Sequence, residues 1–317
     1  MTASRWRGVS VLVTGGRGFI GSHLVDRLAQ QGARVTSLDL CQRWPVPDGA
    51  DDVRGDLADP EVAGRVIVGQ EVVFHLAARL SHRGSMTDPW GDLRDNTMAT
   101  LALAEAARRQ ESPPRIIATS TRQIYGRPDR LPVDEDHALR PPDVNGIHKL
   151  AAEQYLRLYG HVYGLQAVSL RLTNIYGPRI ALHEGDFGVV SALLRRALGG
   201  QEMVLHDDGR QVRDFTYVDD VVDALLLAAD ADALVGQTVN LGCGTAYSLR
   251  DLAEAIVAIA PVPCRFQPES AAAAAIAIGD YVSDPSRLIE ATGWQPKVTL
   301  ADGIARTLAW ARDGGRA

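Results

Sequence analysis

The sequence predicts an α/β fold. A doubly wound, mostly parallel Rossmann sheet carries helices on both faces, and a smaller C-terminal α+β unit follows. Three observations carry this. Short apolar runs rich in β-branched residues alternate with helical patterns through the first two-thirds of the 317 residues. The runs are apolar rather than alternating, as expected when both sheet faces are covered. A glycine-rich turn joins the first run to the first helical pattern.

The expected strands are residues 9–14, 34–39, 72–77, 115–121 and 167–172. Between the first two, Ile20, Leu24 and Leu28 recur one turn apart, and Gly32 stands where a left-handed residue closes a helix. Residues 98–109 and 149–159 are rich in Ala, Leu and Glu and read as helices. After Pro178 the pattern loosens. A helix is expected near 189–198 and a strand near 203–205, while the alanines of 271–275 suit either a helical turn or a surface loop.

Composition narrows the partners. Hydrophobic residues make up 46% and charged residues 23%, ordinary values for a globular chain with a sizeable core. The net charge of -6 speaks against a nucleic-acid partner and weakly against anionic membranes. No apolar run reaches the ~18 residues of a membrane span, and residues 1–10 lack the pattern of a secretory signal. Cys41, Cys243 and Cys264 stand far apart without metal-ligand spacing, so free thiols in a reducing cytoplasm are expected and no metal site is.

Gly15, Gly18 and Gly21 stand three apart between the first strand and the first helix. In such a turn the first glycine permits the tight bend. The second admits a pyrophosphate to the backbone, and the third lets helix pack on strand. The helix N-terminus adds free N–H groups for the phosphates. Glycines also mark plain turns; here the flanking elements and Asp39, at the end of the second strand, point to a dinucleotide. A carboxylate at that place accepts from ribose hydroxyls and repels a 2′-phosphate, so NAD is expected over NADP.

The run Thr14-Gly15-Gly16-Arg17-Gly18-Phe19-Ile20-Gly21 resembles the opening of the extended short-chain dehydrogenase/reductase family, especially its nucleotide-sugar epimerases and dehydratases. Further segments continue the resemblance: Gly55-Asp56-Leu57, the strand leading to Leu76-Ala77-Ala78, Asn96, Ser120-Thr121 ahead of Ile124-Tyr125-Gly126, Arg171 to Pro178, and Asp208 to Phe215. The resemblance implies an NAD-binding unit of residues 1–177, to which 214–242 return, and a substrate unit of 178–213 and 243–317. It implies NAD contacts from Gly15, Gly18, Phe19, Ile20, Asp39, Asp56, Leu57, Leu76, Ala77, Ala78, Asn96, Thr119, Lys149 and Leu172. It implies sugar-nucleotide contacts from Arg79, Asn174, Arg179 and Arg213. The implied activity is NAD-dependent epimerisation or dehydration of a nucleotide-diphosphate sugar through a transient keto sugar. The alternatives are a ketoreductase or decarboxylase on the same scaffold, or a catalytically impaired NAD- or sugar-binding protein. Family members often pair as homodimers through the helices that here span about 96–109 and 149–159.

Two departures from the family pattern stand out. Members place Tyr and Lys four residues apart on one helix, one turn, so that both face the nicotinamide. Here Lys149 is in place, but the Tyr position is Asn145. An amide hydrogen-bonds but cannot serve as a general base. Either another group moves the proton, or the chemistry needs no base there, or catalysis is lost. His148 lies at the margin of the same helix face, and a desolvated Lys149 is a second candidate. Thr121 is expected to orient the reacting oxygen, Tyr125 to be structural, and Arg79 and His82 to lie on the loop over the sugar. The second departure is the lack of the family's arginine before Gly279-Asp280, which leaves Arg213, helped by Arg179, to meet the diphosphate.

Overall fold

The computed structural model describes residues 4–41, 43–183, 188–268 and 270–315. Its strands are β1 (Ser10–Thr14), β2 (Arg34–Asp39), β3 (Asp51–Arg54), β4 (Val72–His75), β5 (Arg115–Thr121), β6 (Ala167–Leu172), β7 (Asn174–Tyr176), β8 (Met203–His206), β9 (Val212–Arg213), β10 (Phe215–Tyr217), β11 (Thr238–Leu241), β12 (Tyr247–Ser248) and β13 (Cys264–Gln267). Seven of them form one parallel sheet in the order β11-β6-β5-β4-β1-β2-β3. The order reverses at β1, which is where open α/β sheets leave a crevice at their carboxyl ends. Register brings Thr14 beside His75 and Leu38, and Thr121 beside Leu172, so these strand ends share one rim.

The helices are α1 (Phe19–Gln30), α2 (Pro60–Val66), α3 (His82–Thr87), α4 (Pro89–Leu93), α5 (Ala99–Ala107), α6 (Val144–Tyr163), α7 (Gly188–Leu198), α8 (Val218–Ala228), α9 (Leu249–Val257), α10 (Ala271–Ile276), α11 (Ser286–Thr292) and α12 (Leu300–Arg312). Side-chain alternation explains their arrangement. Val11 and Val13 of β1 face a core with Leu24 and Leu28 of α1 and Val221 and Leu225 of α8, while Leu12 faces Val66 of α2, Leu103 of α5 and Leu156 of α6. A third cluster joins α7, α9, α12, β8 and β10. Leu288 of α11 and Trp294 pack into the α1–α8 core, so this stretch lies with the sheet and not with the later unit where the sequence puts it. Among the described residues no helix is long and apolar enough to cross a membrane.

Boundaries shift for local reasons. β4 ends at His75, two residues early, because Leu76 and Ala77 leave the ladder and donate their N–H groups to the carbonyl (3.0 Å) and hydroxyl (3.2 Å) of Thr14. β3 is the sheet's edge strand and carries charged side chains, which suits an edge but reads as loop in a sequence. α6 begins five residues before the expected helix. Asp143 caps it by accepting the Gly146 N–H at 2.7 Å, and Gly164 closes it at φ 73. Asn145 therefore sits in the first turn of α6. Ahead of α5, α4 runs into a single π-helical turn at Arg94–Met98, a feature that often marks functional sites. That turn carries Asn96.

Candidate active site

The rim of the sheet is shaped for a dinucleotide. Gly15 turns at φ 70, and a Cβ there would press on the Leu76 and Ala77 backbone at 2.7–2.8 Å. A Cβ on Gly21 would overlap the Gly15 carbonyl. Gly18 differs: a Cβ would meet only the Gly15 carbonyl, at 3.1 Å, so its far side opens a cradle that a side chain would fill. Asp39 accepts the backbone N–H groups of Arg17 and Cys41, both at 3.0 Å, which leaves lone pairs for a ribose diol. The cradle and the carboxylate together fit NAD. Asp56, beyond β3, instead takes an ion pair from Arg94 at 2.5 Å, and Leu57 beside it is buried.

A chain of buried hydrogen bonds fixes this rim. Thr14 Oγ1 accepts from Ala77 N–H and donates to His75 Nδ1 at 2.8 Å. His75 Nε2–H then donates to Thr100 Oγ1 at 2.9 Å, and Thr100 donates to the Asn96 carbonyl at 2.7 Å. Burial pushes the His75 imidazole down to about 3, so it stays neutral and this tautomer follows. Thr119 Oγ1 reaches the His75 carbonyl at 3.4 Å. The glycine turn, β4 and the π-helical turn are thereby one rigid unit.

Lys149 lies one turn after Asn145 and is 8% exposed. Burial lowers its ammonium to about 8, with Glu153 and Asp92 pulling the other way. Its helix is anchored below: Glu153 forms a two-point pair with Arg171 of β6 (3.1 and 2.8 Å). Arg171 in turn donates to the Tyr125 hydroxyl at 2.8 Å, and that hydroxyl donates to Asn240 at 2.7 Å. Burial raises the Tyr125 phenol to about 12. Tyr125 is a brace.

The Asn145 amide has no donor left to offer. Nδ2 gives one hydrogen to the Arg79 carbonyl (2.9 Å) and the other to Asp92 Oδ2 (3.0 Å). Only Oδ1 remains, an acceptor suited to a hydroxyl donor and unable to hold a proton at neutral pH. Asp92 is the centre of this cluster. Its side chain is fully buried, and its other oxygen meets His148 Nδ1 at 2.8 Å. A carboxylate accepts, so Nδ1 carries the hydrogen, and in the neutral imidazole the lone pair is then on Nε2. An imidazole oriented by a buried acid has the geometry of a general base held by a third group.

Other expected contacts are placed less simply. Thr121 Oγ1 accepts the Gln123 N–H at 3.2 Å, leaving its hydroxyl hydrogen to donate, and Ser120 beside it has a buried hydroxyl with no partner. The Arg79 guanidinium pairs with Asp88 and Asp95 at 2.5 and 2.9 Å, while its carbonyl serves Asn145 and Asn96. Arg179 turns to Asp26 of α1 at 2.7 Å and lies over Trp44, away from β9. Arg213 donates to the carbonyl of Gly279, the first residue of the Gly279-Asp280 pair, and also to Gln211 at 2.7 Å. Asn174 accepts from Arg122 at 2.7 Å and donates to the Asp214 carbonyl at 2.9 Å. Phe19 and Ile20 open α1 and pack inward, and Leu172 is buried at the end of β6.

Sequence reasoning misses two residues here. Asp92 lies 53 residues before Asn145, and no local pattern links them. Arg122 carries only a weak signal, a cation directly after a buried strand end.

The family model for the NAD dependent epimerase/dehydratase family matches residues 11–242. The UDP-glucose 4-epimerase of Mycolicibacterium smegmatis is 36% identical over 95% of this chain and 98% of its own. The UDP-glucose 4-epimerase of Thermotoga maritima, solved with UDP-glucose, superposes with a TM-score of 0.90 at 32% identity, over 96% of this chain and 99% of that one. MoeE5, solved with UDP-glucuronic acid and NAD, gives 0.85 at 31% over 96% and 99%. The match spans more than two-thirds of the chain, and the chain belongs to the NAD-dependent epimerase/dehydratase family.

Proposed function

We propose that the protein is a UDP-sugar 4-epimerase with a substituted proton-transfer group. Similarity to UDP-glucose 4-epimerases along nearly the whole chain carries this reading. When bound, NAD supplies the reversible hydride acceptor for the sugar carbon. Residues 1–177 and 214–242 hold it, and the later segments hold the sugar nucleotide. Lys149 Nζ binds the nicotinamide ribose hydroxyls. Thr121 Oγ1 and Asn145 Oδ1 orient the reacting hydroxyl. His148 Nε2, aligned by Asp92, takes the hydroxyl proton and returns it. The sugar passes through a keto state and regains hydrogen on its opposite face, so no net oxidation occurs.

The test is incubation of the NAD-loaded protein with UDP-glucose, UDP-galactose and UDP-glucuronic acid, with product sugars resolved by NMR. A mixture of C4 epimers without accumulation of NADH is expected. Binding without turnover of any of the three would leave a nucleotide-sugar-binding protein instead.

The working unit in this reading is a cytoplasmic homodimer. Ile147, Leu158 and Val162 lie on one face of α6 and are each more than half exposed, with Met98 of the π-helical turn also exposed. A second copy would cover this stripe. Sedimentation is expected to give twice the 34.1 kDa of one chain, and a monomer mass at micromolar concentration would refute it. In the cytoplasm the exposed thiols Cys41 and Cys264 stay reduced.

A further inference from the structure

We propose that Arg122 holds a carboxylate on the substrate's sugar, so that the preferred substrate is a nucleotide-linked uronic acid and not a neutral hexose. This rests on the UDP-sugar reading above and chooses within it.

Arg122 follows Thr121 directly, at the strand end that presents the reacting hydroxyl's partner. Its Nη2 donates to Asn174, and its guanidinium lies 5.6 Å from the centre of the Tyr281 ring. Its Nε is buried and has no partner. The hydroxyl of that tyrosine is also buried and unpartnered. A cation with an unsatisfied donor, packed on a ring whose own hydroxyl is unsatisfied, therefore directly follows Thr121. Buried polar groups are rarely left so, and a buried charge needs an opposite one.

The nearby carboxylates do not supply it. Asp143 is taken by Gln123 Nε2 at 2.8 Å and the Gly146 N–H at 2.7 Å, with His82 Nδ1 at 2.9 Å. Asp214 accepts from the Ser283 hydroxyl and from the N–H groups of Cys243 (2.9 Å), Gly244 (3.2 Å) and Ser283 (3.2 Å). Neither forms an ion pair with Arg122. A planar carboxylate matches a guanidinium edge with two parallel hydrogen bonds, which a hydroxymethyl group cannot do. The diphosphate is a poorer occupant, because Arg122 sits beside the reacting hydroxyl's anchor and not on the loop of Arg213.

The test is calorimetric titration of the NAD-loaded protein with UDP-glucuronic acid and with UDP-glucose, for the wild type and for Arg122→Leu and Arg122→Lys. The wild type is expected to bind the uronate about 10²-fold more tightly, the worth of charge-assisted hydrogen bonds in a desolvated site. Arg122→Leu should collapse that ratio to within about threefold, and Arg122→Lys should give an intermediate value. Equal affinities in the wild type overturn the inference alone, and decide the matter even where Arg122→Leu fails to fold. A ratio unchanged in a folded Arg122→Leu, with both ligands weakened alike, assigns Arg122 to the diphosphate and also overturns it. Binding of neither ligand would sink the nucleotide-sugar reading and the inference with it.

Discussion

Lys149→Met is expected to lower turnover by about 10²–10⁴-fold while making the empty protein more stable at pH 7. The turnover loss follows from the missing ribose contact, and the gain in stability from the missing buried charge. Burial holds the ammonium at about 8 instead of 10.5, so the folded chain carries a charge it would rather release. A tenfold change in an acid dissociation constant is worth about 1.4 kcal/mol, which puts the cost of that charge near ~3 kcal/mol at neutral pH. Methionine has a similar length and no charge to desolvate. The pH dependence fixes the sign. Between about 8 and 10.5 the unfolded chain keeps the proton that the folded chain has lost, so the unfolded state binds more protons and stability rises with pH. The penalty is complete below about pH 8 and fades toward pH 10.5. Denaturant unfolding of both proteins at about pH 7 and about pH 10 checks this: the variant's advantage should be about 3 kcal/mol at the lower pH and shrink by most of that at the higher. A variant less stable than wild type at pH 7 would show that the lysine is held by contacts worth more than its desolvation. Unchanged turnover would remove Lys149 from the site.

How much of this the sequence discloses depends on the range of the interaction concerned. β1, β2, β5 and β6 are readable because each centres on β-branched and aliphatic residues between turn signals, a composition that buried strands favour. β3 is unreadable for the opposite reason. An edge strand needs one partner and little burial, so Asp51, Asp52 and Arg54 satisfy it while resembling a loop. The glycine turn is legible because its constraint is backbone geometry within seven residues. The spacing of Asn145 and Lys149 is legible because it is one helical turn. The partners that decide what Asn145 can do are not: Arg79, Ser85 and Asp92 come from a separate segment, brought across by the packing of α3 and α4 on α6. Chain order also misplaces Leu288 and Trp294, which leave the C-terminal unit to fill the core between α1 and α8. Side-chain identity marks arginines as anion binders, yet Arg79 and Arg179 form ion pairs with acids of this chain, whereas Arg122, which carries no motif, forms none among the described residues and keeps an unpaired Nε.

Asp92→Asn should reduce turnover by about 10²–10⁴-fold with little change in the affinity for NAD or nucleotide sugar. The carboxylate accepts from two donors at once, Asn145 Nδ2 and His148 Nδ1. An amide has one oxygen and one NH₂ in its place, so it can satisfy only one of them. With its oxygen kept toward Asn145, its NH₂ faces His148, and Nδ1 must become the acceptor. The hydrogen then moves to Nε2, and the lone pair that takes the sugar proton is gone. With the amide turned the other way, two NH₂ groups face each other and the Asn145 side chain is pushed from its place. Either arrangement removes the base or its alignment while the buried volume stays the same. His148→Ala should lose as much as Asp92→Asn, and the double variant little more, because the two act as one unit. Added imidazole should restore part of the turnover of His148→Ala and none of that of Asp92→Asn, where the imidazole is present in the wrong tautomer. Turnover of His148→Ala within about threefold of wild type would show that the proton leaves by another route. Lys149, whose ammonium titrates at about 8, would then be the remaining group on this helix face able to carry it.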